Sequence, residues 1–377
     1  MSSLALIFFL APLVILFSSP AESFSSETAT PSRRVSIVTG ANGYVGKAIV
    51  HELLQPDEDS GCSEDEVMCL VREQRVKEQV NYWENDEKVR VMPYDMLDGG
   101  KTLDEALKCA YETGGSGTKS DTTCCIYHVA SVFGPTEDHK QTALDNVMGT
   151  EAVIRCAAKY APNIKVVVTS SMAAVRATDQ TPTNGKFYTH EDWNAKSELG
   201  KNWGQSYQWS KAESERRAWE ISKELEVDMA SLCPSFVFGP PAEGSTSSSY
   251  SIALVGQWVR GESEVQSRLC VDVRDAALAH VRAGRRSEAT GKRYILSSEA
   301  RLSSVDVGDV LKMMAKESGL GETEAITCDT NFDGGAIKIG DKEVDATARL
   351  ESELGVICRP NDETFRDMAE ALLKAKQ

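Results

Sequence analysis

From residue 35 onward the chain alternates short β-branched runs with longer segments whose apolar residues recur every three to four positions. The runs VSIVTG (35–40), EVMCLVR (66–72), KVRVMPYD (88–95), CCIYHVAS (124–131), IKVVVTSS (164–171) and MASLCPSFVFG (229–239) predict strands. They are almost continuously apolar, as strands covered on both faces are. YVGKAIVHELL (44–54), LDEALKCAYE (103–112) and stretches near 142–160 and 207–226 carry the helical period. Strands alternating with helices predict an α/β fold, a Rossmann-type doubly wound parallel sheet. ETGGSGTKSD (112–121) has the composition of a surface loop. Beyond 240 the pattern loosens into the loop PPAEGSTSSSYS (240–251), further helices and isolated strands such as KRYILSS (292–298). That change predicts a smaller lobe built mainly from the C-terminal third. The expected boundaries are a leader over 1–34, the parallel-sheet domain over 35–239, and the smaller lobe mainly over 240–377.

Composition narrows the partners. The net charge of −16 argues against nucleic acid and anionic membrane surfaces, which both select for basic proteins. With 41% apolar and 26% charged residues the chain is ordinary for a folded globular protein. The uncharged apolar run LALIFFLAPLVILF (4–17) is short for a membrane span and suits the h-region of a signal peptide. Ala21 and Ser23 supply a small-x-small cleavage pattern that would leave Phe24 as the new terminus. No Lys or Arg precedes the run, so an uncleaved anchor stays open beside cleavage. The following Ser- and Thr-containing stretch resembles a bipartite plastid-targeting leader. Endomembrane entry is expected, ending in a plastid or in the ER and secretory lumen, with no stable span in the mature chain.

Of the ten cysteines, Cys69, Cys124, Cys125 and Cys233 fall in predicted buried strands and Cys156 on an apolar helix. There a free thiol acts as a small hydrophobe. No CxxC pair occurs and the five histidines show no metal-ligand spacing, so neither a metal nor a disulfide framework is expected.

VTGANGYVG places Gly40, Gly43 and Gly46 between the first strand and first helix, the context a dinucleotide fingerprint requires. Gly40 permits the tight turn, Gly43 a close approach of backbone to pyrophosphate, and Gly46 close helix–sheet packing. The helix N-terminus offers its N–H groups to the anion. Asn42, Tyr44 and Val45 belong to the same turn. The second strand ends on Arg72, with Arg75 and Lys77 close behind, where NAD sites carry an acid for the ribose 2′-hydroxyl. A guanidinium there suits a 2′-phosphate, so NADP(H) is the expected cofactor.

The fifth strand delivers Ser170 and Ser171 to the carboxyl edge of the sheet, where ligands bind in such folds. The next helix carries Tyr207 and Lys211 four positions apart, hence on one face. Carbonyl reduction needs a proton donor and a hydrogen bond at the oxygen that becomes an alkoxide, roles open to Tyr207 and Ser171. A phenol titrates near pH 10, and lowering it by about three units takes roughly 4 kcal/mol. One ammonium about 4 Å away supplies roughly that at an effective dielectric of about 20. Lys211 is expected to provide it.

Together with IYHVAS, DNVMGTEAVIRCA and VDVRDAALAHVRA, these motifs resemble the extended short-chain dehydrogenase/reductases, the NAD-dependent epimerase/dehydratase family. The nearest pattern is the dihydroflavonol reductase and cinnamoyl-CoA reductase branch, over nearly all of 35–375. The resemblance implies a two-lobed fold: an NADP-binding Rossmann domain over 35–239, and a smaller, discontinuous α+β substrate lobe mainly over 240–377 with some segments returning to the first domain. It also implies hydride transfer from NADPH to a small-molecule carbonyl, a ketone, aldehyde or acyl thioester. It implies Ser171 as the catalytic serine and Lys211 on the nicotinamide ribose. Asp95 and Met96 match adenine contacts, Val129, Ala130 and Ser131 line the cofactor, and Pro234 and Ser235 flank its nicotinamide end. Asn146 takes the central helix position. A homodimer is kept as the candidate assembly. Segments 131–139 and 187–206 depart from the flavonoid enzymes' pattern, so the substrate stays open. Two other readings stand beside the reductase. A nucleotide-sugar epimerase or dehydratase shares the fold, but Met172 and Ala173 replace the acidic pair of dehydratases and Arg72 disfavours tightly held NAD. A non-catalytic NADP-binding protein commonly lacks the tyrosine or lysine, and both are present.

Overall fold

Seven parallel strands form one sheet in the order β3-β2-β1-β4-β5-β6-β9. In this computed structural model the described residues are 33–56, 64–112, 122–242, 249–317, 323–331 and 341–374. The leader up to residue 32, most of the loop expected over 112–121 and residues 243–248 of the loop after 240 lie outside them. The strands are β1 (Arg33–Thr39), β2 (Glu66–Val71), β3 (Val89–Pro93), β4 (Thr122–His128), β5 (Ile164–Thr169), β6 (Asp228–Pro234) and β9 (Arg293–Leu296). Two short strands, β7 (Phe236–Phe238) and β8 (Cys270–Asp272), pair apart from the sheet.

The helices are α1 (Tyr44–Leu53), α2 (Glu73–Tyr82), α3 (Lys101–Glu112), α4 (His139–Ala157), α5 (Met172–Val175), α6 (Trp203–Glu224) and α7 (Tyr250–Val259). They continue with α8 (Val273–Arg285), α9 (Ser304–Glu317), α10 (Thr347–Arg349) and α11 (Asn361–Lys374). Among the described residues no helix is long and apolar enough to cross a membrane.

Both faces of the sheet are covered, as the apolar strands require. On one side Val38, Val67 and Val167 pack with Ile49, Val50 and Leu53 of α1 and with Ala276 and Ala283 of α8. On the other, Ile37, Met68 and Ile126 pack with Leu103 and Leu107 of α3, Ile154 of α4 and Ile221 of α6. Cys69, Cys124 and Cys156 are buried within these layers, Cys233 is buried beside Met172, Val175 and Ile295, and Cys125 is partly buried. A separate core gathers Phe238, Trp258, Leu311, Phe365 and Met368 from β7, α7, α9 and α11. The chain crosses between the two groups more than once, since β9 returns to pair with β6 after α7 and β8.

Three boundaries differ from the sequence reading. The segment 229–239 is two strands, because Pro234 has no N–H to extend the ladder; Ser235 donates instead to Leu296 O at 2.8 Å and β7 pairs with β8. The fourth and sixth helices start about one turn earlier than their apolar periods do. Asp138 and Asn202 cap them, accepting the N–H of Gln141 at 2.8 Å and of Gln205 at 2.9 Å. Tyr207 therefore lies in the second turn of α6 rather than at its start.

Beneath the carboxyl edge of the sheet runs a layer of buried polar groups. Glu215 of α6, 1% exposed, pairs with Arg293 of β9 through contacts of 2.7 and 3.0 Å. It also accepts Ser170 Oγ at 2.7 Å and Ser231 Oγ. Arg293 stacks on Trp193, 3.9 Å from the ring centre, and donates to His190 O and Asp192 O. His128 lies between Thr39 Oγ1 at 3.0 Å and Thr150 Oγ1 at 3.2 Å. His280 lies between Thr169 Oγ1 at 2.9 Å and Ala276 O at 2.6 Å. Burial, with the charge of Lys211 adding, pushes His128 down to about 3, and burial pushes His280 down to about 4.

Two predictions follow from this layer. Glu215→Gln keeps the shape but strands the Arg293 charge, and should lower the unfolding free energy by about 3–5 kcal/mol. Urea titration would show a lower midpoint at constant slope, whereas an unchanged midpoint would refute the coupling. The two imidazoles set the acid limb of stability. Unfolded they take a proton near their ordinary value of 6.5, and folded only near 3 and 4. The unfolded chain therefore binds more protons within that window, and stability is lost as pH falls below 6.5, by at most about 1.4 kcal/mol per pH unit for each ring. His128→Asn should flatten the slope between pH 6.5 and 4 in a series of unfolding titrations.

Candidate active site

The sheet's strand order reverses between β1 and β4, and the carboxyl ends of these two strands part there. Gly40 closes β1 at φ +69°, a left-handed conformation that a side chain would strain, and a Cβ would sit 3.1 Å from Ala130 Cα. Its N–H donates to Leu70 O at 2.9 Å and its carbonyl accepts the N–H of Gly43 at 2.9 Å. A Cβ on Gly46 would lie 2.2 Å from Gly40 O, so only glycine lets α1 seat on the turn. Gly43 caps α1 and no side chain bonds to the first-turn N–H groups. That backbone cradle faces the cleft and fits a pyrophosphate. Thr39 Oγ1 accepts the N–H groups of Val129 and Ala130 at 3.1 and 3.2 Å, holding the two strand ends together.

The cleft that opens here has a volume of about 1370 Å³. That exceeds the few hundred to about 1,000 Å³ of a drug-sized site and leaves room for a dinucleotide and a second molecule. At one end it is lined by Gly40, Asn42, Gly43, Tyr44, Val45 and Gly46. Tyr44 contributes backbone, since its buried hydroxyl donates to Gly239 O at 2.6 Å. Arg72 caps α2 with an exposed side chain on the cleft wall and has no ion-pair partner among the described residues. Arg75 instead pairs with Glu78 at 2.7 Å. Asp95 and Met96 lie on the same wall. The Asp95 carboxylate accepts the N–H of Leu97 at 2.9 Å, while Met96 packs on α4 so tightly that a Cβ on Gly149 would meet its Cγ at 2.2 Å.

At the other end the serines divide. Ser170 turns inward to Glu215, whereas Ser171 caps α5, accepting the N–H of Ala173 at 3.1 Å, and shares the cleft lining with Tyr207. Lys211, 7% exposed, donates to Thr169 O at 3.1 Å and to Ser131 Oγ at 3.2 Å, with its nitrogen 6.0 Å from the Tyr207 ring centre. Val129, Ala130, Ser131, Pro234 and Ser235 complete the wall between the two ends. Asn146 is placed differently. Its amide clamps the backbone of Val132, donating to the carbonyl at 3.0 Å and accepting the N–H at 2.8 Å. It shapes the β4 loop from below and is not on the main cleft wall.

Electrostatics at this end differ from the sequence expectation. Burial pushes Tyr207 up to about 12, against a lowering by the Ser171 hydrogen bond. Lys211 is itself moved, down to about 8 by burial, with Cys233 and Glu215 raising it. The ammonium points at a carbonyl and a hydroxyl rather than at the phenol oxygen, and the cost of desolvating a phenolate outweighs its pull.

The sequence reading also missed residues that only folding gathers. Phe133, Trp203, Tyr250 and Phe236 stand around the catalytic end, with Phe133 4.5 Å from Tyr207 and 5.0 Å from Tyr250 between ring centres. Arg176, Arg268 and Arg301 line the same wall. These residues come from seven segments of the chain and share no spacing that could have announced them.

Comparison with known proteins agrees with this geometry. The model of the NAD dependent epimerase/dehydratase family matches residues 36–296. Cinnamoyl-CoA reductase 1 of Arabidopsis thaliana is 31% identical over 308 residues, covering 77% of this chain and 76% of that protein. Tetraketide alpha-pyrone reductase 2 of the same plant is 28% identical over 282 residues, 71% of this chain and 79% of that one. Among solved structures, Gre2 of Candida albicans in complex with NADPH superposes with a TM-score of 0.74 at 24% identity. It covers 91% of this chain and 99% of that one. A Bacillus cereus UDP-glucuronic acid 4-epimerase in complex with NAD shares the fold at a TM-score of 0.63 and 13% identity, over 91% of this chain and 100% of that one. Glycine cradle, parallel sheet and sequence match agree: the chain belongs to the NAD dependent epimerase/dehydratase family.

Proposed function

We propose that this protein is an NADPH-dependent reductase that converts a small-molecule carbonyl, a ketone, aldehyde or acyl thioester, to an alcohol or aldehyde. The observation that carries this reading is the meeting of Ser171, Lys211 and Tyr207 on one cleft lining, the last a half-buried phenol whose surroundings raise its proton affinity. Such a group keeps its proton at neutral pH and is suited to donate it. The named reductases among the relatives support the same reading.

The glycine cradle would hold the pyrophosphate, Arg72 the 2′-phosphate, and Lys211 the nicotinamide ribose. When bound, the reduced dinucleotide supplies a hydride to the carbonyl carbon. Ser171 holds the carbonyl oxygen as it gains negative charge, and Tyr207 passes its proton to that oxygen. Lys211, cationic below about pH 8, stabilises the phenolate that remains. The surrounding rings keep water from the reacting centre. A dehydratase is less well supported because Met172 and Ala173 follow Ser171 in place of an acidic pair, and an epimerase because a guanidinium, Arg72, stands where a ribose acid would.

A screen of NADPH oxidation against aldehydes, ketones, dihydroflavonols and acyl-CoA thioesters should find turnover. In the responsive reaction Tyr207→Phe should lower kcat/KM by about 10²–10⁴ while NADPH still binds. Turnover equal to wild type would end the assignment of Tyr207 as acid. Arg72→Ala should raise the KM for NADPH by about tenfold or more and leave that for NADH nearly constant. Equal effects on the two cofactors would remove Arg72 from the 2′-phosphate.

A further inference from the structure

The far wall of the cleft holds more positive charge than its neighbours neutralise. Arg176 and Arg301 both pair with Glu343, which is 1% exposed, at 3.2 and 2.6 Å. Arg268 stands beside them because Leu302, next to Arg301, bonds its N–H to Arg268 O at 3.1 Å. Its guanidinium lies 5.1 Å from the centre of Phe236 and donates to Ser267 O at 3.3 Å and to Gln266 Oε1. Its Nε is buried without a hydrogen-bond acceptor, and among the described residues it makes no ion pair. Asp329 acts on it only through space, and the neighbouring charge of Arg301 opposes it. A protein of net charge −16 has thus placed three guanidiniums on the lining of its cleft, two of them paired with the buried Glu343 behind it, while Asp179 on the same lining makes no ion pair with Arg268.

A half-buried guanidinium that lacks a counter-charge is costly, and the cost is offset when a ligand brings one. Phe236, Tyr250 and Phe133 link Arg268 to Tyr207 by successive ring contacts of 6.5, 5.0 and 4.5 Å. An apolar or aromatic body lying along those rings would put one end at Tyr207 and the other at Arg268. We infer that the substrate is a carbonyl compound with an anionic, oxygen-rich group remote from the carbonyl, a carboxylate or phosphate, and that Arg268 is the residue that selects it. The inference rests on the reductase reading for the role of the carbonyl end, but the anion site stands on its own residues.

The test compares 4-carboxybenzaldehyde, methyl 4-formylbenzoate and 4-formylphenyl phosphate as substrates of the full chain with NADPH. In wild type the carboxylate should exceed its neutral ester in kcat/KM by about tenfold or more, as a charge-assisted hydrogen-bond pair would give. Arg268→Met should bring that ratio close to one, and Arg268→Lys should restore part of it. A larger kcat/KM for the phosphate than for the carboxylate would assign the site to a phosphate. Equal use of acid and ester by wild type, or a preference that survives in Arg268→Met, overturns the inference while leaving the reductase reading intact. Calorimetric titration with terephthalate in the presence of NADP⁺ reads the anion site without turnover. Binding lost in Arg268→Met supports the site even if none of the aldehydes is reduced, and no binding to wild type refutes it.

Discussion

Burying an ammonium costs several kcal/mol unless the fold supplies acceptors and compensating charge, and the arrangement around Lys211 supplies both. Its nitrogen bonds to the last carbonyl of β5 and to Ser131 just beyond β4, so one side chain of α6 ties together two strand ends. Glu215, one helical turn further along α6, adds a compensating negative charge and is itself held by Arg293 from β9. Tyr207, one turn in the other direction, gets its position from the same helix. The ladder Tyr207, Lys211 and Glu215 thus joins the rim of the cleft to the buried polar layer beneath it. Loss of that anchorage would free the phenol from Ser171 as well as loosen the sheet.

A second constraint acts at the opposite end of the cleft. The turn after β1 must pass under Ala130 and leave room for α1, and both demands exclude a β-carbon, at Gly40 and Gly46. The result is a helix terminus whose N–H groups are not used by any side chain. Tyr44 then anchors this turn to Gly239 through its hydroxyl, coupling the cradle to the segment that leads into α7. Cofactor end and substrate end are therefore parts of one mechanically connected wall. Relatives that act as reductases and a structural neighbour that is an epimerase share this frame. Chemistry is decided by what stands beside Ser171 and Tyr207.

Charge distribution within the cleft runs against that of the chain. The net negative charge belongs to the chain as a whole, whereas the arginines act on what enters the cleft. Field lines focus in a cleft with low-dielectric walls, so a few half-buried guanidiniums outweigh many screened surface carboxylates at short range.

Several features were legible in the sequence because they are local. A glycine pattern between a strand and a helix, an arginine at the end of the next strand, and a tyrosine and lysine four apart all act through neighbours in the chain, and so do the apolar strand runs. Helix starts were less legible, since the apolar period begins after the capping residue and Asp138 and Asn202 lie outside it. The proton affinity of Tyr207 was not legible at all. It depends on how deeply the phenol is buried and where the Lys211 ammonium points, and both are set by strands that converge from distant parts of the chain. The same holds for the choice between Ser170 and Ser171, which turns on Glu215, and for the wall of Phe133, Tyr250, Phe236 and Arg268. Spacing along the chain encodes which groups share a turn of helix or a strand end; burial and long-range contacts, which set charge and specificity, come into being only when the sheet closes.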